Sequence, residues 1–187
     1  MKKISILVGS LRRGSYARKI AKNVEKMFPK DYEVKILEIR DLPLYDNDYD
    51  NASIADKPLP EIYTKFREEI KASDAVVFVT PENNRVVPAC LKNAIDICSK
   101  PNNDVALKGK VGGIISHSVG KMGGYSSQKT IRLAISYFDM VLPGQPEVFI
   151  GRSQELFEEG SDEIKVQSTV DFIQKYIDSV VALVEGK

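Results

Sequence analysis

Near the start of the chain, Gly9-Ser10-Leu11-Arg12-Arg13-Gly14-Ser15 gathers two hydroxyls and a guanidinium fork into one short polar stretch. Hydroxyl donors beside a planar, permanently charged fork suit the oxygens of a phosphomonoester. A second stretch, Pro81-Glu82-Asn83-Asn84-Arg85, offers two amide side chains and backbone N–H and C=O groups, but no evident pairing of nucleophile and base. A third, His117-Ser118-Val119-Gly120-Lys121-Met122-Gly123-Gly124, is glycine-rich, so its backbone can approach a flat ligand closely.

These stretches are positioned by the elements around them. Ile4-Ser5-Ile6-Leu7-Val8 reads as a buried strand. From Ser15 the pattern turns helical, with Ile20, Ala21, Val24, Met27 and Phe28 at helical spacing and Ser15 placed as the N-cap. Strand, polar loop and helix together favour an anion, because the first helical N–H groups lack intrahelical partners and the dipole is positive there. The plainer alternative is an ordinary first turn of an α/β domain with surface arginines. Neither GxGxxG nor GxxxxGK[ST] is present, so the Rossmann and Walker readings lack their motif.

Further along, residues 32–39 alternate and read as a second strand near a sheet edge. Residues 41–60 form a long polar segment with Pro43, Tyr45, Tyr49, Pro58 and Pro60, readable as a lid or as a surface excursion. A helix is expected over 61–72. Residues 74–80 form the most continuous apolar run, hence a central parallel strand. Pro88 stands at the first turn of a helix over 89–99, and Lys110 to Ser116 reads as strand four. A helix over 125–138 follows. The last strand is split, with 140–142 and 147–150 separated by Pro143 and Pro146. Residues 151–162 read as irregular or partly helical, and 163–184 as the closing helix.

Strict alternation of strands and helices predicts an open parallel sheet with helices on both faces, with right-handed crossovers. Ligands on such sheets sit beyond the carboxyl ends of the strands, where the three polar stretches fall. At 187 residues the chain is read as one domain, 1–187. A net charge of +1 lacks the footprint of a nucleic-acid binder. No apolar run reaches membrane-spanning length, and the chain enters a strand at once, so neither a membrane association nor a signal peptide is expected. Cys90 and Cys98 make no CxxC pattern and read as small buried hydrophobes in a reducing, cytoplasmic setting.

A phosphate grip at one loop and hydrogen-bonding edges at two others suit a phosphorylated planar heterocycle, and FMN fits. The sequence resembles the NADPH-dependent FMN reductase family of flavodoxin-like proteins, which includes quinone, azo-dye and chromate reductases. The family's G-S-x-R-x-x-S appears as Gly9, Ser10, Arg12 and Ser15. Its P-E-Y-N with a following proline and L-K-N-A-I-D appears as Pro81-Glu82-Asn83-Asn84, Pro88 and Leu91-Lys92-Asn93-Ala94-Ile95-Asp96. Its S-x-G-x-x-G-G appears as Ser118, Gly120, Gly123 and Gly124, and its P-E-V as Pro146-Glu147-Val148.

The resemblance, over about the first 150 residues, implies an α/β flavodoxin-like three-layer sandwich with a five-stranded parallel sheet in 2-1-3-4-5 order. It also implies noncovalent FMN, NADPH or NADH as co-substrate, a small-molecule electron acceptor and a homodimer or homotetramer. It carries phosphate contacts to Ser10, Arg12 and Ser15, with Tyr16 and Ala17 beside them, and ring contacts to Pro81, Glu82, Asn83, Asn84, Ser118 and Gly120. Two positions depart from the family pattern. Ala17 replaces a usual Asn, so one phosphate contact is lost or passes to the backbone, and Asn83 replaces a Tyr, which removes an aromatic neighbour of the flavin.

His117 is the only histidine; positioning near the ring is the expected role, since the flavin carries the chemistry and no catalytic side chain is needed. Glu82 is expected to shape its loop rather than act as a base. The helix start after loop three is expected to hold negative charge on the reduced ring. Tyr45 and Tyr49 read equally as flavin cover, subunit contact or surface packing, and Lys92 with Asp96 as a solvated or interface ion pair. A flavodoxin-type electron carrier is the alternative, disfavoured by the near-neutral charge. A low-molecular-weight phosphatase would need a Cys in loop one, which is absent; a flavin-free sensing module is a further class.

Overall fold

In the computed structural model, which describes residues 1–186, five parallel strands are ordered 2-1-3-4-5. They are β1 (Lys3–Val8), β2 (Glu33–Leu37), β3 (Ala75–Pro81), β4 (Val111–His117) and β5 (Val148–Ile150). The helices are α1 (Tyr16–Glu25), α2 (Glu61–Ala72), α3 (Ala89–Cys98), α4 (Tyr125–Ser136) and α5 (Gln167–Glu185). Strand pleating divides the apolar residues between two faces. Ile4, Ile6, Val8, Val77, Val79 and Ile115 pack with α1 and α5, whereas Leu7, Val76, Phe78 and Ile114 pack with α2, α3 and α4. Central β3 is buried through Thr80. Edge strand β2 alternates exposed and partly covered residues.

Several element ends differ from the sequence expectation. Strand β2 stops at Leu37 because the Glu38 carboxylate accepts from the N–H groups of Ile39 (3.1 Å) and Arg40 (3.2 Å), which turns the chain. Helix α1 ends at Glu25, so Met27 and Phe28 pack beyond it, ahead of Pro29, which disfavours helix in the residue before it. Helix α4 ends at Ser136, short of Phe138. The closing helix starts at Gln167 rather than Glu163, because 163–166 is extended: Ile164 bridges antiparallel to Phe157, and Lys165 N–H donates to Leu156 C=O at 2.9 Å. The split last strand is present as expected, with Val141 bridging to Val111 and Val148–Ile150 pairing with the far end of β4. Strand β4 runs one residue further than expected and takes in His117, which pairs with Pro81 on one side and Ile150 on the other.

Candidate functional site

Three turns meet at the carboxyl end of the sheet: β1 to α1, β3 to α3 and β4 to α4. At the first, Ser15 caps α1 from an extended conformation, its Oγ accepting from Arg18 N–H at 3.4 Å. The capping hydroxyl satisfies one of the orphaned first-turn donors, and the N–H groups of Tyr16 and Ala17 remain for a ligand. No acidic residue offsets the positive end of α1. Arg18, Arg67, Arg132 and Arg152 each lie beside a carboxylate; among the described residues none is paired with Arg12, which is exposed. Among the described residues this end of the site therefore holds donors and positive charge without a carboxylate to offset them.

The second turn closes on itself. Asn83 and Val86 exchange backbone hydrogen bonds (3.2 and 3.0 Å), and Asn84 and Arg85 between them both have positive φ (49° and 69°). Before that hairpin, Glu82 reaches across to α4 and accepts from the N–H groups of Ser126 (3.0 Å) and Ser127 (3.3 Å). Glu82 thus ties its loop to the start of α4. The same contact bears on a different expectation, that the start of α4 holds charge on the ring: a protein carboxylate already occupies its Ser126 and Ser127 N–H groups.

The third turn passes through Gly123 and Gly124 with φ of 62° and 76°, a left-handed conformation natural to glycine. A Cβ on Gly123 would lie 2.6 Å from the backbone of Phe149, so this turn packs directly on β5. Ser118 Oγ donates to Gly120 C=O (3.0 Å), and Ser118 N–H donates to Ile150 C=O (3.0 Å). Just before it, His117 is buried, with Nδ1 3.0 Å from Ser153 Oγ and Nε2 without any hydrogen-bond partner. Burial, then the neighbouring charge of Arg12, depress its pKa from 6.5 to about 4, so the imidazole is neutral near pH 7.

A cavity of about 250 Å³ lies among these turns. Eight of the eleven anticipated residues line it: Ser10, Arg12, Ser15, Tyr16, Pro81, Glu82, Asn83 and Ser118. Ala17, Asn84 and Gly120 are not on its wall. The Ala17 side chain is buried in the core beneath α1, so only its backbone can serve the site. Asn84 stands at the hairpin tip, and Gly120 accepts from Ser118 and Arg152 within its own turn. His117 and Val119 complete the wall. A second cavity of about 370 Å³ adjoins the first, sharing Ser10, Arg12, Pro81 and Asn83 and extending to Pro88 and Cys90. Sequence reasoning missed Ser153, which lies 36 residues beyond His117 and carries no local motif.

The long segment 41–60 is anchored. Arg67 on α2 holds both Asp50 oxygens at 2.7 Å, Tyr63 Oη donates to Pro43 C=O at 2.9 Å, and Asn93 Oδ1 accepts from Tyr45 N–H at 2.7 Å. Tyr45 and Tyr49 pack against the Tyr63 ring, and neither lines the cavity. Burial raises the pKa of both thiols, that of Cys98 to about 12, in line with their reading as small hydrophobes. Lys92 and Asp96 form an exposed i,i+4 pair at 2.6 Å.

Residues 2–155 match the profile of the NADPH-dependent FMN reductase family. The chain is 41% identical over 182 residues to a quinone reductase of Pseudomonas putida, covering 97% of this chain and 94% of that protein. It is 35% identical to a 2-hydroxy-1,4-benzoquinone reductase of a Burkholderia species, covering 99% and 97%. Its fold superposes with TM-score 0.87 and 31% identity on a flavoenzyme NAD(P)H:(acceptor) oxidoreductase from Paracoccus denitrificans, over 100% of this chain and 98% of that one.

Proposed function

The chain belongs to the NADPH-dependent FMN reductase family, and from that premise we propose that it holds FMN in the cavity described above and reduces quinone-type small molecules with NAD(P)H. The observation that carries the reading is chemical. The cavity presents unpaired donors at one end, from Arg12, Ser10, Ser15 and the start of α1, and a neutral polar wall at the other, from Asn83, His117 and Ser118. That donor set fits a phosphomonoester joined to a neutral heterocycle.

When bound in this cavity, FMN would supply the hydride and electron-transfer chemistry. The protein's own tasks are binding and orientation. Arg12 and the hydroxyls of Ser10 and Ser15 hold the phosphate, aided by the N–H groups of Tyr16 and Ala17. Pro81, Glu82, Asn83 and Asn84 form the second loop against the ring, with Glu82 acting through α4; Ser118 and Gly120 form the third. The adjoining cavity beside Cys90 gives a second reactant room next to the first. Quinones are the favoured acceptor class because the relatives at 41% and 35% identity carry that name.

We further propose a homodimer or homotetramer in the cytoplasm, without nucleic-acid or membrane partners. Leu133 and Tyr137, one turn apart on α4 and its end, are 74% and 83% exposed, an apolar face suited to a second copy. Among the described residues no helix is long and apolar enough to cross a membrane. The test is the visible spectrum of the purified protein after FMN addition, followed by anaerobic NADPH titration and steady-state turnover with a benzoquinone. Flavin uptake with quinone-dependent NAD(P)H oxidation supports the enzyme. Flavin uptake without turnover supports the carrier alternative, and no uptake overturns both.

A further inference from the structure

We propose that His117 donates a hydrogen bond from Nε2–H to an acceptor atom of bound FMN, with Ser153 fixing the tautomer that makes Nε2 the donor; this rests on FMN occupying the cavity. The geometry leaves one economical proton arrangement. Ser153 is fully buried, and among the described residues the only partner of its hydroxyl is His117 Nδ1 at 3.0 Å. If Nδ1 carried the proton, the buried hydroxyl hydrogen would have no acceptor, an arrangement folded proteins rarely tolerate. With Ser153 Oγ–H donating to Nδ1, both groups are satisfied and the ring proton sits on Nε2.

That Nε2 is itself buried and has no partner among the described residues, although its residue lines the cavity. Buried polar atoms of folded proteins are rarely left unpaired, so the natural partner is the ligand of that cavity. The ring is held from both sides. His117 is the last residue of β4, paired between β3 and β5, and Ser153 N–H donates to Ser118 C=O at 3.0 Å. The depressed pKa keeps the imidazole neutral near pH 7, so it adds a donor without adding charge beside Arg12.

The test uses the full chain, whose only histidine gives an unambiguous imidazole signal in nitrogen NMR. In FMN-free protein at pH 7, Nε2 should carry the proton and Nδ1 should be an acceptor. FMN addition should move the Nε2–H resonance downfield and slow its exchange with water. A proton on Nδ1, or an Nε2–H signal unmoved while FMN binds, would overturn the assignment. Parent protein that takes up no FMN instead overturns the functional reading beneath it.

Variants give an independent readout. His117→Leu should raise the FMN dissociation constant about tenfold, and His117→Gln, whose amide N–H can stand near Nε2, should recover most of it. Ser153→Ala should leave a mixture of tautomers and an intermediate affinity. Equal FMN affinity in His117→Leu and the parent would count against the bond. If His117→Leu does not fold, the parent spectra alone decide.

Discussion

Segment 41–60 and the three turns at the carboxyl end of the sheet are similar in composition and opposite in bonding. The first is long, proline-punctuated and polar, the profile of a mobile functional loop. Its polar groups nevertheless find protein partners, above all Asp50, held by Arg67 in a pair whose side chains are 4% and 9% exposed. The three turns are shorter, yet among the described residues exposed Arg12 pairs with no carboxylate and buried His117 Nε2 has no partner. Unsatisfied donors gathered at one place mark the site better than loop length does.

The largest effect should come from breaking the well-partnered region. Arg67→Met leaves Asp50 buried and unpaired and should lower stability by about 3–5 kcal/mol in urea unfolding, with the FMN affinity of the folded fraction unchanged. Removing Asp50 as well, as Leu, should recover much of that loss. A change in FMN affinity would make the segment part of the site after all.

Next in size is the titration of His117. Its folded pKa of about 4 lies below the ordinary 6.5, so between these values the unfolded chain binds a proton that the folded chain does not. Stability is therefore complete above pH 6.5 and falls as pH drops toward 4, by roughly 3 kcal/mol in FMN-free protein. Subtracting the His117→Gln unfolding curve should isolate this contribution, because the variant lacks the titrating group. Parallel curves for the two proteins would mean the ring is not held neutral by burial.

The opposite pattern is expected for Arg12→Ala. Losing a charge-assisted contact to phosphate should weaken FMN binding by about 10- to 100-fold in fluorescence titration. Stability should change by less than about 0.5 kcal/mol, since among the described residues no carboxylate pairs with this exposed guanidinium. Unchanged affinity would move the phosphate elsewhere. Smallest of all, Lys92→Ala should cost about 0.3–0.5 kcal/mol and leave FMN binding alone, the ordinary value of an exposed i,i+4 pair.

Much of the fold was legible because it rests on short-range pattern. The unbroken apolar run ending at Thr80 marked the central strand, and the alternation after Tyr32 marked the edge. Loop one was legible for the same reason: its serines, arginine and helix start are neighbours in sequence. What escaped depends on contacts distant in sequence. Nothing near Ser153 announces His117, and nothing near Glu82 announces the α4 amides it occupies. The start of α5 was misplaced because Ile164 is drawn into a bridge with Phe157, a tertiary contact that overrides local helical spacing.

The contact of Glu82 with Ser126 and Ser127 has a consequence for how a ligand enters. Three helices begin at this rim, and an internal carboxylate already occupies the first-turn donors of α4. Of these helices α1 is the one whose start lines the first cavity, and it carries no acid in its first turn, so positive potential there gathers beside Arg12. An anionic tail should therefore be drawn toward Arg12, which leaves a neutral head toward Ser118.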